Sequence, residues 1–280
     1  MTRNMLIQPF LKWAGGKRQL LKEINKYVPS KISTYYEPFL GGGAVLLNIQ
    51  PKKAIVNDSN QELINAYKII RDNIDELIGD LKKHKNTAEY FYSLREKDRT
   101  SEYCNLSNVE RASRLIYLNK TCYNGLFRVN SQGEFNTPYG NYKNPNIINE
   151  HVLRSVSNYL NKSDIKFLEG DFEDSLKNIR KGSFVFFDPP YMPISDSSSF
   201  TGYTLDGFTV DDQTRLKVLC DKLDERGIKF LLSNSTAPII LDMYKNYKIE
   251  FVYAKRSINS IGENRGEIKE VLIMNYGYKK

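Results

Sequence analysis

Ser183-Phe184-Val185-Phe186-Phe187-Asp188-Pro189-Pro190-Tyr191 is the stretch on which the reading of this chain turns. Four consecutive apolar residues without polar alternation fit a strand buried on both faces, as a parallel sheet requires. Asp188 follows directly, so the strand delivers a carboxylate to the sheet edge, where open α/β sheets bind their ligands. Pro189 and Pro190 fix the turn and leave carbonyls without local N–H partners. Tyr191 then supplies a flat face for a planar group. Taken alone, the segment also fits a rigid turn after an ordinary strand.

Further strand candidates are residues 34–37, 54–57, 165–169 and 229–233, each a short apolar run ending in turn residues. Helical spacing joins Leu20, Leu21, Ile24 and Val28, and again Leu216, Leu219, Cys220 and Leu223. For the second helix Asp211 or Asp212 is the predicted N-cap, and Gly227 lies just past its end. Strands alternating with helices predict an α/β fold with a mainly parallel sheet. Residues 249–253 and 271–276 are predicted to close its edge as a hairpin.

The pattern changes between about 60 and 160. Residues 62–81 and 109–118 look helical; 126–136 carry a strand pattern, and Gly133 and Gly140 mark turns. This reads as a helical insertion bearing a β-hairpin (60–160) between two halves of one catalytic domain (1–59 and 161–280).

A chain of 280 residues has room for a catalytic domain and a second module. Its formal charge of +8 favours an anionic partner only weakly. Cys104, Cys122 and Cys220 form no C-x-x-C pair, which argues against a disulfide framework or structural zinc and fits a reducing compartment. His84 and His151 have no metal-ligand spacing and read as surface or helix residues, so no metal is expected. No apolar run has the length of a membrane span or signal-peptide core, which predicts a cytoplasmic protein without a membrane partner.

Tyr36-Glu37-Pro38-Phe39-Leu40-Gly41-Gly42-Gly43 links the first strand candidate to an apolar helical run. Glycines in such a turn let backbone approach a ligand where a Cβ would collide, although an ordinary βα turn has the same composition. Asp58 ends the next strand, placed either to accept ribose hydroxyls or to cap the following helix. Asp171 ends the third and is suited to an adenine amino group. Trp13-Ala14-Gly15-Gly16-Lys17 fails the phosphate-loop pattern, with Leu11 and Arg18 at two required positions.

Asp188 to Tyr191 fit methylation of a planar amine. The lone pair of such an amine is delocalised, and accepting its hydrogens at Asp188 and the Pro189 carbonyl would localise it. The rate then comes from in-line placement and from stabilising developing positive charge.

These segments resemble the Dam-like, DpnII-type DNA adenine methyltransferases of the α-group. The matching blocks are Phe10-Leu11-Lys12-Trp13-Ala14-Gly15-Gly16-Lys17, Phe39 to Gly43 and Asp188-Pro189-Pro190-Tyr191, in the α-group order. The resemblance implies a Rossmann-like sheet with an inserted helical target-recognition domain, and S-adenosylmethionine held by Trp13, Lys17, Phe39, Gly41, Gly43, Asp58, Asp171 and Asp188. It also implies adenine N6 in double-stranded DNA as substrate, with GATC as the site. Residues 123–128 and 133–143 are similar to the hairpin of GATC-reading members. By that similarity Arg128 reads a guanine, Leu126 and Pro138 a thymine methyl, and Lys12 the first guanine. Tyr123 wedges into the stack, while Asn124 and Tyr142 serve as further DNA contacts. A separate cognate restriction endonuclease, or a solitary role, fits equally.

Charge agrees with this reading. Between 111 and 145, Arg111, Arg114, Lys120, Arg128 and Lys143 are opposed only by Glu134 and interleaved with six aromatic residues, as expected of a DNA-contacting surface. Residues 192–208, rich in Ser and Gly, are expected to form a mobile loop that orders around the ligands. The competing readings are methylation of cytosine N4, RNA or a protein amide, and a non-catalytic DNA-binding scaffold.

Overall fold

The computed structural model describes residues 4–194, 207–255 and 267–277. The expectation for the 192–208 loop therefore falls largely outside the described residues. Seven strands form one sheet: β1 (Tyr35–Glu37), β2 (Lys53–Asp58), β3 (Asp164–Glu169), β4 (Phe184–Phe187), β5 (Lys229–Ser235), β6 (Lys248–Lys255) and β7 (Glu267–Met274). Their order is β3-β2-β1-β4-β5-β7-β6; the first five run parallel and β7 enters antiparallel between β5 and β6. Chain order reverses between β1 and β4, the switch point at which open α/β sheets leave a crevice beyond the strand ends.

β4 is buried at every position, as its lack of alternation requires. Phe184 and Phe186 join one apolar core, while Val185 and Phe187 join another with Leu216, Cys220 and Leu223. The period-two split of one strand between two cores is what a sheet covered on both faces produces.

The described α-helices are α1 (Leu21–Tyr27), α2 (Ala44–Ile49), α3 (Gln61–Asp72), α4 (Ile74–Leu81), α5 (Ala88–Glu96), α6 (Asn108–Thr121), α7 (Glu150–Lys162), α8 (Val210–Glu225) and α9 (Pro238–Met243), with short 3-10 turns between some of them. Thr209, not Asp211 or Asp212, caps α8. Its hydroxyl accepts from the Asp212 N–H at 3.3 Å and the Asp212 carboxylate returns to the Thr209 N–H at 3.0 Å, a reciprocal box that binds two free donors. Gly227, with φ +63°, lies just past the end as expected.

The single helix expected over 62–81 is broken at Asn73 (φ −133°, ψ 42°). Apolar spacing hides the break, because α3 and α4 bury their faces in the same core. That core is continuous from the sheet through α3 and α7 into α5 and α6. Helices α5 and α7 were not legible in the sequence.

The regular strand expected over 126–136 reduces to a bridge between Val129 and Phe135, with Asn130 and Asn136 N–H groups donating to Glu134 and Arg128 carbonyls, each at 2.9 Å. Side chains take the other backbone groups. Asp98 accepts from Phe135 N at 2.8 Å, Arg99 donates to Phe135 O at 2.9 Å, and Thr137 donates to Leu126 O at 2.7 Å. His84 also departs from expectation. Its side chain is 5 % exposed, and its two ring nitrogens bond Tyr90 and Ser113 at 2.8 Å each. No described helix is long and apolar enough to cross a membrane.

Candidate active site and recognition surface

The glycine turn leaves β1 at the switch point. Gly41 (φ +50°) and Gly43 (φ +64°) occupy the left-handed region, and a Cβ on Gly43 would stand 2.3 Å from the Tyr67 hydroxyl. Asp58 holds the turn, accepting from Gly41 N at 2.8 Å and from Asn60 N at 2.9 Å. Asn60, not Asp58, caps α3 by accepting from Leu63 N. The capping alternative for Asp58 is thereby corrected. Burial raises its carboxyl pKa against those two N–H bonds.

Asn57 ties three strand ends together, donating to Pro38 O at 3.1 Å and Gly170 O at 3.0 Å. Its Oδ1 is buried without a protein partner. Phe39 stacks on Phe172 at 5.2 Å, with Phe208 edge-on at 5.6 Å. Asp171 stands beside this aromatic group, accepting from Glu173 N and pairing with Arg215, each at 2.9 Å.

At the end of β4, Lys17 Nζ lies 2.7 Å from Asp188 Oδ1 and 4.5 Å from the centroid of the Tyr191 ring, and donates to Gly15 O at 2.6 Å. Lys17 is 4 % exposed. Burial pushes the Asp188 carboxyl up to about 6; Lys17 opposes the rise and Glu270 adds to it. The turn is pinned from beyond: Gln213 donates to Pro190 O at 3.0 Å and Ser235 to Met192 O at 2.7 Å. These bonds engage the carbonyls of Pro190 and Met192 and not that of Pro189. Glu37, at the end of β1, accepts from the Tyr35 hydroxyl at 2.9 Å, and burial holds its carboxyl well above the ordinary range.

Glu37, Gln213, Arg215, Ser233 and Glu270 carry no sequence signal that marks them as site residues. Glu37 lies inside the motif that leads into the glycine turn. The others reach the site through strand pairing and helix packing, which no local pattern reports.

Trp13 joins this centre to the inserted segment. Its ring stacks on Phe127 at 4.8 Å, with planes 19° apart, while a Cβ on Gly41 would stand 3.0 Å from ring atom Cδ1 and one on Gly42 3.1 Å from the Trp13 Cβ. Buried Asn119 pegs the two segments, accepting from Lys12 N at 3.0 Å and donating to Lys12 O at 2.8 Å and Gly125 O at 3.1 Å. Lys12, Tyr123, Arg128, Pro138 and Tyr142 are exposed, whereas Asn124 and Leu126 are half-buried. Asn124, at φ +57°, donates its N–H to the Tyr142 hydroxyl at 2.9 Å, and Tyr123 N donates to Pro138 O at 2.8 Å. Arg128 donates to Asn136 Oδ1 at 2.7 Å.

Two of the five basic residues counted toward a DNA-facing charge are used internally. Arg111 pairs with Glu62, and buried Arg114 pairs with Asp98 at 2.8 Å and donates to Leu94 O. Tyr117, Phe127 and Phe135 belong to the core. The exposed charge of this segment comes from Arg128 and Lys143, with Lys120, near the end of α6, half-buried.

The model of the D12 class N6 adenine-specific DNA methyltransferases matches residues 13–258. The chain belongs to that family. It is 45 % identical over 273 residues to a type II methyltransferase of Lactococcus lactis subsp. cremoris, covering 97 % of this chain and 96 % of that protein. Identity to a type II methyltransferase of Methanocaldococcus jannaschii is 44 % over 292 residues (97 % and 100 % covered). To the DNA adenine methylase of Escherichia coli K12 it is 35 % over 269 residues (95 % and 94 %). The chain is an adenine-specific DNA methyltransferase with S-adenosylmethionine as its cofactor. Cytosine N4, RNA, protein amides and a non-catalytic scaffold are set aside. Among the described residues no group of three His, Cys, Asp or Glu side chains is arranged to hold a metal.

Proposed function

We propose that this methyltransferase modifies adenine N6 within GATC in duplex DNA, using Asp188-Pro189-Pro190-Tyr191 as the transfer site and residues 60–160 as the recognition module. The observation that carries the reading is Trp13, one ring in contact with both the glycine turn and Phe127 of the hairpin.

The residues fit the cofactor. Asp58 spends one lone pair on the Gly41 N–H and another on Asn60, and keeps acceptor capacity for ribose hydroxyls. Buried, unpartnered Asn57 Oδ1 offers a further acceptor at the same strand ends. Phe39 presents an aromatic wall beside Asp171 for the adenine, while Trp13, Lys17, Gly41 and Gly43 line the methionine side. S-adenosylmethionine, when bound, supplies the electrophilic methyl group.

Asp188 and the Pro189 carbonyl accept the N6 hydrogens and direct the nitrogen lone pair toward that methyl. Unstacking the target costs a few kcal/mol, which stacking on Tyr191 partly offsets. Tyr123 is 54 % exposed and is the candidate wedge for the gap left behind. Arg128 suits guanine O6 and N7, Leu126 and Pro138 the thymine methyl. Lys12, Asn124 and Tyr142 serve the outer base pair and its guanine.

Both type II relatives share more of the sequence than the Escherichia coli methylase does, which supports a restriction-modification role beside a separate endonuclease. Plasmid DNA incubated with enzyme and labelled cofactor, then digested with endonucleases that distinguish methylated from unmethylated GATC, tests the site. Label entering DNA whose GATC sites remain unmodified overturns it.

A further inference from the structure

We propose that Glu270 is a positioning residue of the transfer site, acting through the Tyr191 hydroxyl to hold the ring plane against which the target base rests. This rests on the assignment of Asp188 and Tyr191 above. β7 is an interior strand, and its side chains alternate between two cores: Val271 and Ile273 in one, Leu272 and Met274 in the other. Glu270 has the parity of Leu272 and Met274, so a carboxylate stands in line with core residues. Among the described residues it forms no ion pair; its Oε2 accepts from the Tyr191 hydroxyl at 2.6 Å.

The Tyr191 hydroxyl also lies 2.5 Å from Oγ of fully buried Ser233. A phenol has one proton and donates it to the carboxylate, so the serine hydroxyl donates to the phenol oxygen. Ser233 faces Leu272 in the β5–β7 ladder, which makes Glu270 its diagonal neighbour. One phenol oxygen is therefore fixed by two strands at once, as donor and as acceptor. Neither bond needs a charge; a glutamine would serve as well for packing alone.

The charge has its own consequence. Among the described residues, Lys17, Tyr191 and Glu270 are ionisable groups coupled to Asp188, with Glu37 and Tyr35 on neighbouring β1. Burial raises the Glu37 and Tyr35 pKa values well above their ordinary ranges, and Asp188 and Glu270 are two carboxyl groups beside one lysine. A net negative surround favours the positive charge that develops on N6 during transfer. It also adds to the burial that holds the Asp188 carboxyl up.

The test compares Glu270→Ala, Glu270→Gln, Tyr191→Phe and the Tyr191→Phe/Glu270→Ala double variant, with Asp188→Ala alongside. Glu270→Ala is expected to lower kcat/KM for DNA roughly 10- to 100-fold, the weight of one hydrogen bond to a charged group, with KM for S-adenosylmethionine unchanged. In the Tyr191→Phe background it should cost no more than Glu270→Gln costs in the parent, the loss of the charge without the loss of the hydrogen bond. Glu270→Gln keeps an acceptor and should recover most of kcat/KM at neutral pH, while the acid limb of the rate moves to lower pH. Additive losses, or an unmoved acid limb in Glu270→Gln, overturn the proposal. Asp188→Ala separates the two readings. If it retains turnover, the site assignment itself falls; if it is inactive while every Glu270 variant matches the parent, only the role of Glu270 falls.

Discussion

Replacing Lys17 by methionine removes the cation on Asp188 while keeping a side chain of similar length. At 2.7 Å, Coulomb's law with an effective dielectric near 20 gives roughly 6 kcal/mol for the pair, an upper bound before solvation is counted. A cationic neighbour at this range lowers a carboxyl pKa by about one to three pH units. With Asp188 at about 6 in the parent, the variant should ionise at about 7 to 9. In the proposed transfer, acceptance of the N6 hydrogens needs the carboxylate, so activity is expected above that pKa and lost as pH falls through it. At pH 7 the ionised fraction drops from about nine-tenths to between one-half and one-hundredth, and kcat/KM with it, by about 2- to 90-fold. Methyl incorporation into DNA at saturating cofactor, measured from pH 5 to 10, reads this directly. The variant should regain most of its activity at the alkaline end. An acid limb still near 6, or moved downward, refutes the reasoning.

Arg128→Ala should cost about 1–3 kcal/mol of discrimination at one guanine, measured as the kcat/KM ratio between GATC and singly substituted sites; unchanged selectivity rejects the contact. Gly43→Ala should destabilise the protein by at least about 1–2 kcal/mol through the left-handed backbone alone, seen as a lowered Tm. The Tyr67 hydroxyl lies where the new Cβ would go, so Tyr67→Phe should restore part of that loss, and no recovery argues against the clash.

Much of the catalytic half was legible because its signals are local. A short unalternating run ending in a Pro-Pro turn fits a strand covered on both faces, and β4 is buried throughout. Three glycines after a strand mark a turn, and Asp58, Asp171 and Asp188 sit at or just past strand ends because those ends carry the carboxylates. The inserted segment was less legible. Its hairpin is held by Asp98, Arg99 and Thr137 instead of a strand ladder, and its arginines answer to Glu62 and Asp98. Such pairings join residues tens of positions apart and leave no periodicity.

The sequence by itself determined the parallel α/β sheet, the position of the Asp188 turn and the family's chemistry, since strand pattern and motif spacing are properties of short segments. Only the tertiary structure decided what surrounds that turn. Lys17 reaches Asp188 at the end of β4, Trp13 meets Phe127, and Glu270 reaches Tyr191 from β7, the last strand in chain order. Those contacts exist because burial of two cores brings the chain's ends and its insertion to one crevice, and the electrostatics of a buried carboxylate depend on whichever charges that packing leaves beside it.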